Sequence, residues 1–168
     1  MTLSMYQASV PRFVNVLNNL SAILDKAQAH VDARKLDESA LTMFRLFPDM
    51  FPLYRQVQIA GDTAKGAVAR LAGVEIPAYE DSERTLADLK ARIAKTIAFV
   101  QGFTPAQIDG TEDKEIVIKR ADKETRYMGM QFLLGNAIPN LYFHVTTSYN
   151  ILRHNGVELG KRDYLGNP

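Results

Sequence analysis

Hydrophobic residues recur at intervals of three and four along most of the chain, and this spacing predicts four long helices. The first covers about residues 4–30, with Val10, Phe13, Val14, Leu17, Leu20, Leu24 and Ala27 in line and Val31 just beyond. Pro11 falls early enough for a first turn or a slight kink. A charged connection, residues 32–37, leads to a short helical turn within residues 38–47. The second helix is expected over about residues 50–72, on Tyr54, Val57, Gly61, Ala64, Val68 and Leu71, with Gly73 as its stop. Its stripe carries Ala60, Gly61, Ala64 and Ala67, small enough to admit a neighbouring helix closely or to leave room for a ligand. The third helix is expected over about residues 82–101, on Leu86, Leu89, Ile93, Ile97 and Val100. Asp81 or Ser82 would cap it, and Glu80, Asp81 and Glu83 suit the positive end of its dipole.

The period then changes. Residues 114–120 hold a β-branched run, Ile116-Val117-Ile118, residues 121–124 resemble a turn, and residues 125–128 supply a second strand. This predicts a small β-hairpin, charged at both edges and therefore placed on the surface. The fourth helix spans about residues 130–153, with a break near Gly135 and Pro139. Its core line is Leu134, Ile138, Leu141, Val145, Tyr149 and Leu152, and the tail after Asn155-Gly156 reads as irregular. The expected fold class is all-α: a four-helix bundle with a small β-hairpin before the last long helix, in a single domain over residues 1–168.

Composition narrows the chemistry. The chain has 168 residues, enough for one domain with one core. Its formal net charge is +1, which argues against a dedicated nucleic-acid partner. The absence of cysteine removes disulfides, thiolate metal sites and a cysteine nucleophile. Histidine occurs only at 30, 144 and 154, so any histidine-based metal site must draw on nearly all of them. Residues 127–152 carry no charged side chain, but their polar side chains and Pro139 speak against a lipid-facing span. No membrane association is expected, and the simplest location is cytoplasmic.

The fourth helix is unusual because a surface helix normally carries charge on its outer face. Its uncharged length implies that other helices, the tail or a second subunit cover much of it. Its polar residues are also ordered: Asn136, Asn140, His144 and Ser148 stand four apart on one face. Buried, each needs a partner, because an orphaned polar group costs roughly 1–3 kcal/mol. The second helix offers Arg55, Gln58, Asp62 and Lys65 at spacings of three and four. The residues thus point to a small polar pocket between helices two and four, formed by Gln58, Asp62, Asn140, His144 and Ser148. A set of satisfied structural polar groups fits the same pattern.

The string from Pro139-Asn140-Leu141-Tyr142-Phe143-His144 through Tyr149, continuing to Gly156 and on to Arg162-Asp163-Tyr164-Leu165-Gly166, is distinctive. With Gln56-Val57-Gln58 and Arg70-Leu71-Ala72-Gly73, it resembles an uncharacterised bacterial and fungal family, similar in turn to the DinB/YfiT-like superfamily of metalloenzyme-type folds. The resemblance implies a four-helix bundle that is often a dimer. It also implies, for better-known members, a metal held by one histidine from helix two and two from helix four, four residues apart. Here His144 matches one position, Ser148 stands where the second histidine would be, and helix two has no histidine, with Gln58 near its ligand position. The ligand set is therefore degenerate, and no metal or cofactor is expected. The leading expectation is a homodimeric DinB-like protein with a small-molecule pocket. A metal-dependent thiol transferase or hydrolase with an incomplete ligand set, and an interaction module without a ligand, stay open, so the residues leave enzymatic activity undecided.

Overall fold

The computed structural model of the protein describes residues 3–166; the outermost residues of the expected domain lie outside them. Helix α1 (Met5–Arg34) starts where the Ser4 hydroxyl accepts from the Gln7 amide. It runs a turn further than the hydrophobic line suggests and closes on Lys35, whose left-handed backbone lets the Leu36 amide reach the Val31 carbonyl at 3.0 Å. A single turn, α2 (Ser39–Thr42), leads to α3 (Leu53–Ala72). Gly73, at φ +75°, ends α3 as expected, with the Val74 amide returning to the Ala69 carbonyl.

Helix α4 (Leu86–Gln101) begins four residues later than the sequence suggested. Its cap is Thr85, which exchanges hydrogen bonds with Asp88 in a capping box. Asp81 and Glu83 are not part of its first turn because both are drawn to Arg92. One turn, α5 (Pro105–Ile108), precedes the hairpin β1 (Glu115–Arg120) and β2 (Lys123–Met128). The strands pair antiparallel from Glu115 with Met128 to Arg120 with Lys123, around the two-residue turn Ala121-Asp122. The hairpin is less superficial than its charge implied. Ile116 is buried in the core and Ile118 and Tyr127 pack against it, while the rest of β2 is largely exposed.

The last long helix is broken into three segments: α6 (Gly129–Phe132), a π-helical turn (Leu133–Ala137) and α7 (Ile138–His154). Pro139 has no amide to offer the Gly135 carbonyl. The ladder widens there, and the Ile138 amide reaches back five residues to Leu133. This insertion changes the register, so Leu134, expected in the core, is 52% exposed. The tail is also more ordered than expected. Helix α8 (Lys161–Leu165) opens with the Gly160 amide bonded to Asp163 and lies against α1, through Lys26–Asp163 at 2.6 Å and Asn19 to the Tyr164 carbonyl at 3.1 Å.

Helix α3 packs against both α4 and α7, and α1 packs against the same two. The four long helices therefore enclose one core, filled by Phe13, Leu17, Leu20, Val57, Leu89, Ile93, Leu141 and Val145, among others. No helix among the described residues is long and apolar enough to cross a membrane.

Candidate functional site

Helix α3 carries polar side chains on two faces, and each face leads to a separate assembly. Toward α7, His144 Nδ1 lies 2.7 Å from Gln56 Oε1, and Gln56 Nε2 donates to the Phe51 carbonyl at 3.0 Å. The Phe51 carbonyl can only accept, which fixes the orientation of the Gln56 amide. The amide oxygen therefore faces the imidazole, so Nδ1 carries the proton. Burial holds the His144 pKa below its ordinary 6.5, and the Arg55 charge lowers it further. The ring is thus a neutral imidazole with a fixed tautomer, and its Nε2 has no partner among the described residues. Phe143 meets it edge-on, with centroids 5.2 Å apart. Ser148 is fully buried and donates to the His144 carbonyl at 2.9 Å.

Toward α4, the second assembly centres on Arg92, whose side chain is almost completely buried. It pairs with Asp62, Asp81 and Glu83 at 2.9–3.1 Å and donates to the Glu80 carbonyl. Gln58 donates to Glu83 at 2.7 Å and accepts from Arg55. Lys65 pairs with Asp62, donates to the Pro77 carbonyl and stands 3.7 Å over the Tyr79 ring. Together these contacts fasten the connection between α3 and α4 to the bundle.

Between the two lies an open cleft of about 280 Å³, walled by α3, β1, the π-helical turn and the start of α7. Asn140 Nδ2 donates to Thr63 Oγ1 at 2.8 Å across its middle. The pairs Thr63–Asn140 and Gln56–His144 run in opposite chain directions, so α3 and α7 are antiparallel there. Asn136 therefore lies toward the Arg70 end, beside Lys119 of β1, and Arg55 lies toward the other. Asn136 is half-buried and its amide has no hydrogen-bond partner among the described residues. It also lines an adjoining cavity of about 160 Å³ with Ile118, Thr125 and Tyr127.

The five sequence-selected residues are thus distributed over three places. Asp62 and Asn140 line the cleft, His144 and Ser148 share the buried Gln56 assembly, and Gln58 belongs to the Arg92 cluster. Gln56, two residues from Gln58, is the side chain that meets His144. The crossing of α3 on α7 decides between them, and no local signal in either helix does. Arg92 had a legible signal: Leu89, Arg92 and Thr96 share a spacing of three and four, which puts a cation on a core face.

A metal at the position implied by the resemblance would need about three donors. His144 Nε2 is one, but Gln56 is a neutral amide committed to Phe51 and the imidazole, and the Ser148 hydroxyl is committed to a backbone carbonyl. No group of three or more histidine, aspartate or glutamate side chains among the described residues is arranged to hold an ion. The donor set does not fit a divalent metal.

An α1–α4–α3–α7 bundle with an inserted hairpin, and with a histidine on α7 facing α3, defines a DinB-like helical protein. Residues 5–165 match the family described as a domain of unknown function, DUF1993, and the chain belongs to that family. It is also similar to a crystal structure of a DinB family member protein from Shewanella denitrificans. The two share 47% sequence identity over 97% of this chain and 92% of that one, with a TM-score of 0.88. None of the curated proteins matches it.

Proposed function

We propose that this DUF1993 protein is a metal-free, DinB-like small-molecule binding protein that acts as a homodimer and takes its ligand in the α3–α7 cleft. One observation carries the reading. The π-helical turn presents Asn136 to the cleft as a half-buried amide with no hydrogen-bond partner among the described residues. Single π-turns within α-helices occur frequently at functional sites, which favours a functional role. Asn140 and Thr63 support it: their mutual bond leaves Asn140 Oδ1 as an acceptor and the Thr63 hydroxyl hydrogen as a donor. Asp62 supplies a carboxylate on the same wall. Gln58, His144 and Ser148 serve the pocket indirectly, by fixing the helices on either side of it.

The homodimer in this reading uses the outer face of the last helix. Met130, Leu134 and Phe143 are exposed there, and Phe51 is exposed close by, next to the Gln56–His144 pair. Large apolar side chains exposed together on one helix favour association in soluble domains.

A thermal-shift screen against small polar metabolites, paired with metal titration, tests the proposal. The expected result is a ligand that raises the melting temperature of the native protein, with the shift abolished by Asn136→Ala and reduced by Asn140→Ala. No stoichiometric zinc, nickel, iron or manganese should be retained. One equivalent of tightly held metal that disappears in His144→Ala would overturn it.

A further inference from the structure

The character of the cleft wall narrows the ligand. Three cations line it, Arg55, Arg70 and Lys119, against the single carboxylate of Asp62. That carboxylate is already matched from behind by Arg92 at 3.0 Å and Lys65 at 3.1 Å, both nearly buried. Its negative charge is therefore shared between those two cations and the wall, while Asp81 and Glu124 face Arg55 and Lys119 from outside the cleft.

Two of the cations, Arg55 and Lys119, also keep donors for a guest. Arg55 uses one nitrogen, Nη1, for both Gln58 and Asp81, which leaves Nη2 and Nε toward the cleft end. The Lys119 side chain is 77% exposed and stands 3.7 Å from Glu124, so it can turn inward without breaking a tight pair. Arg70 donates from Nη1 to the Gly66 carbonyl, which anchors its guanidinium along α3 at the Asn136 end. There, two cations and the Asn136 amide, which has no hydrogen-bond partner among the described residues, line the cleft from three elements: α3, β1 and the π-helical turn. A planar guanidinium beside amide and ammonium donors is the set that recognises a carboxylate or phosphate oxygen.

We infer that the cleft binds small organic anions, with a carboxylate or phosphate held by Arg70, Lys119 and Asn136 and a hydroxyl or amino group turned toward Asp62 and Asn140. This rests on the cleft being the binding site. Its capacity of about 280 Å³ suits a compact metabolite.

Isothermal titration calorimetry on the full chain, at fixed ionic strength, tests this with malate, glycerol 3-phosphate and inorganic phosphate, and with glycerol as the uncharged control. Arg70→Gln and Asn136→Ala are the variants, with Arg12→Gln, on the exposed side of α1, as the charge control. Circular dichroism confirms that each folds. At least one anion is expected to bind, with affinity lowered at least tenfold by Arg70→Gln and by Asn136→Ala and unchanged by Arg12→Gln, while glycerol gives no heat. Equal weakening by Arg70→Gln and Arg12→Gln would reduce the effect to general charge and overturn the inference. Binding of uncharged compounds alone, lost in Asn136→Ala, would overturn the anion assignment and leave the cleft as the site. Absence of binding by every anion overturns the inference, and the neutral screen then decides the cleft separately.

Discussion

A Cβ at position 129 would stand 1.9 Å from the Thr111 carbonyl oxygen. Gly129 begins α6, where the neighbouring Met130 amide bonds the Glu112 carbonyl at 2.9 Å. The loop before the hairpin and the start of the last helix thus touch through backbone alone. Gly129→Ala must push them apart, and overpacking of this kind costs about 1–3 kcal/mol. Urea unfolding should record a loss of that size, and a neutral result would show that the two backbones can separate freely. His144 offers a second test at the level of one side chain. Its folded pKa lies below 6.5, first through burial and then through Arg55. The unfolded chain therefore takes up a proton more readily than the folded one. The neutral ring costs nothing above pH 6.5; stability falls as pH drops below that value and the effect levels off beneath the folded pKa. Imidazole NMR should show the Nδ1–H tautomer and a depressed titration midpoint. Arg55→Gln should move the midpoint partway back up, because burial remains. A midpoint at or above 6.5 in the native protein would refute the buried, Gln56-bonded ring.

Among the elements, the connection from α3 to α4 depends most on one residue. Arg92 gathers Asp62, Asp81 and Glu83 from three positions in the chain, and Tyr79 lies within reach of its charge and of Lys65 and Lys95. Arg92→Met keeps the volume and removes the charge. Removing one partner from a buried pair costs about 3–5 kcal/mol. Asp62 and Asp81 are partly exposed, which places the expected loss toward or below the bottom of that range. Hydrogen exchange should speed up across residues 74–85 before it does in α1. Uniform exchange across the chain would refute the local fastening. The same region shows what sequence could and could not reveal. The lines of Leu17, Leu20 and Leu24 and of Leu89 and Ile93 announced their helices, because burial repeats at the helical period. The start of α4 was missed because Asp81 and Glu83 resemble cap residues by type yet are claimed by a cation nine to eleven residues on. The partner of His144 was out of reach for a similar reason. Helical spacing orders residues within α3, but only packing decides that Gln56, and not Gln58, faces α7. The π-turn was legible as a break at Gly135 and Pro139; its consequence, the outward swing of Leu134, required the register of the whole helix.

For the molecule as a whole, the uncharged last helix poses the remaining problem. The tail accounts for one part of it: Tyr164 bonds Thr146 at 2.9 Å and packs edge-on against Tyr149. Helix α3 accounts for the polar ladder side. Neither reaches Leu134 or Phe143, which are 52% and 57% exposed. An apolar surface left in water has no compensating interaction in one chain, whereas a second copy would bury it twice through a two-fold contact. The absence of charge from this face also means that two copies can meet without desolvating ions. On the proposed homodimer, Phe143→Glu puts a carboxylate at the contact. Because Phe143 is largely exposed, the bundle itself should change by no more than about 0.5 kcal/mol in a monomeric state. Sedimentation at micromolar concentration should therefore give a two-chain mass for the native protein and a one-chain mass for the variant, with an unchanged helical spectrum. A native protein that sediments as one chain would remove the dimer and leave the cleft, which is built from one chain alone, as the functional unit.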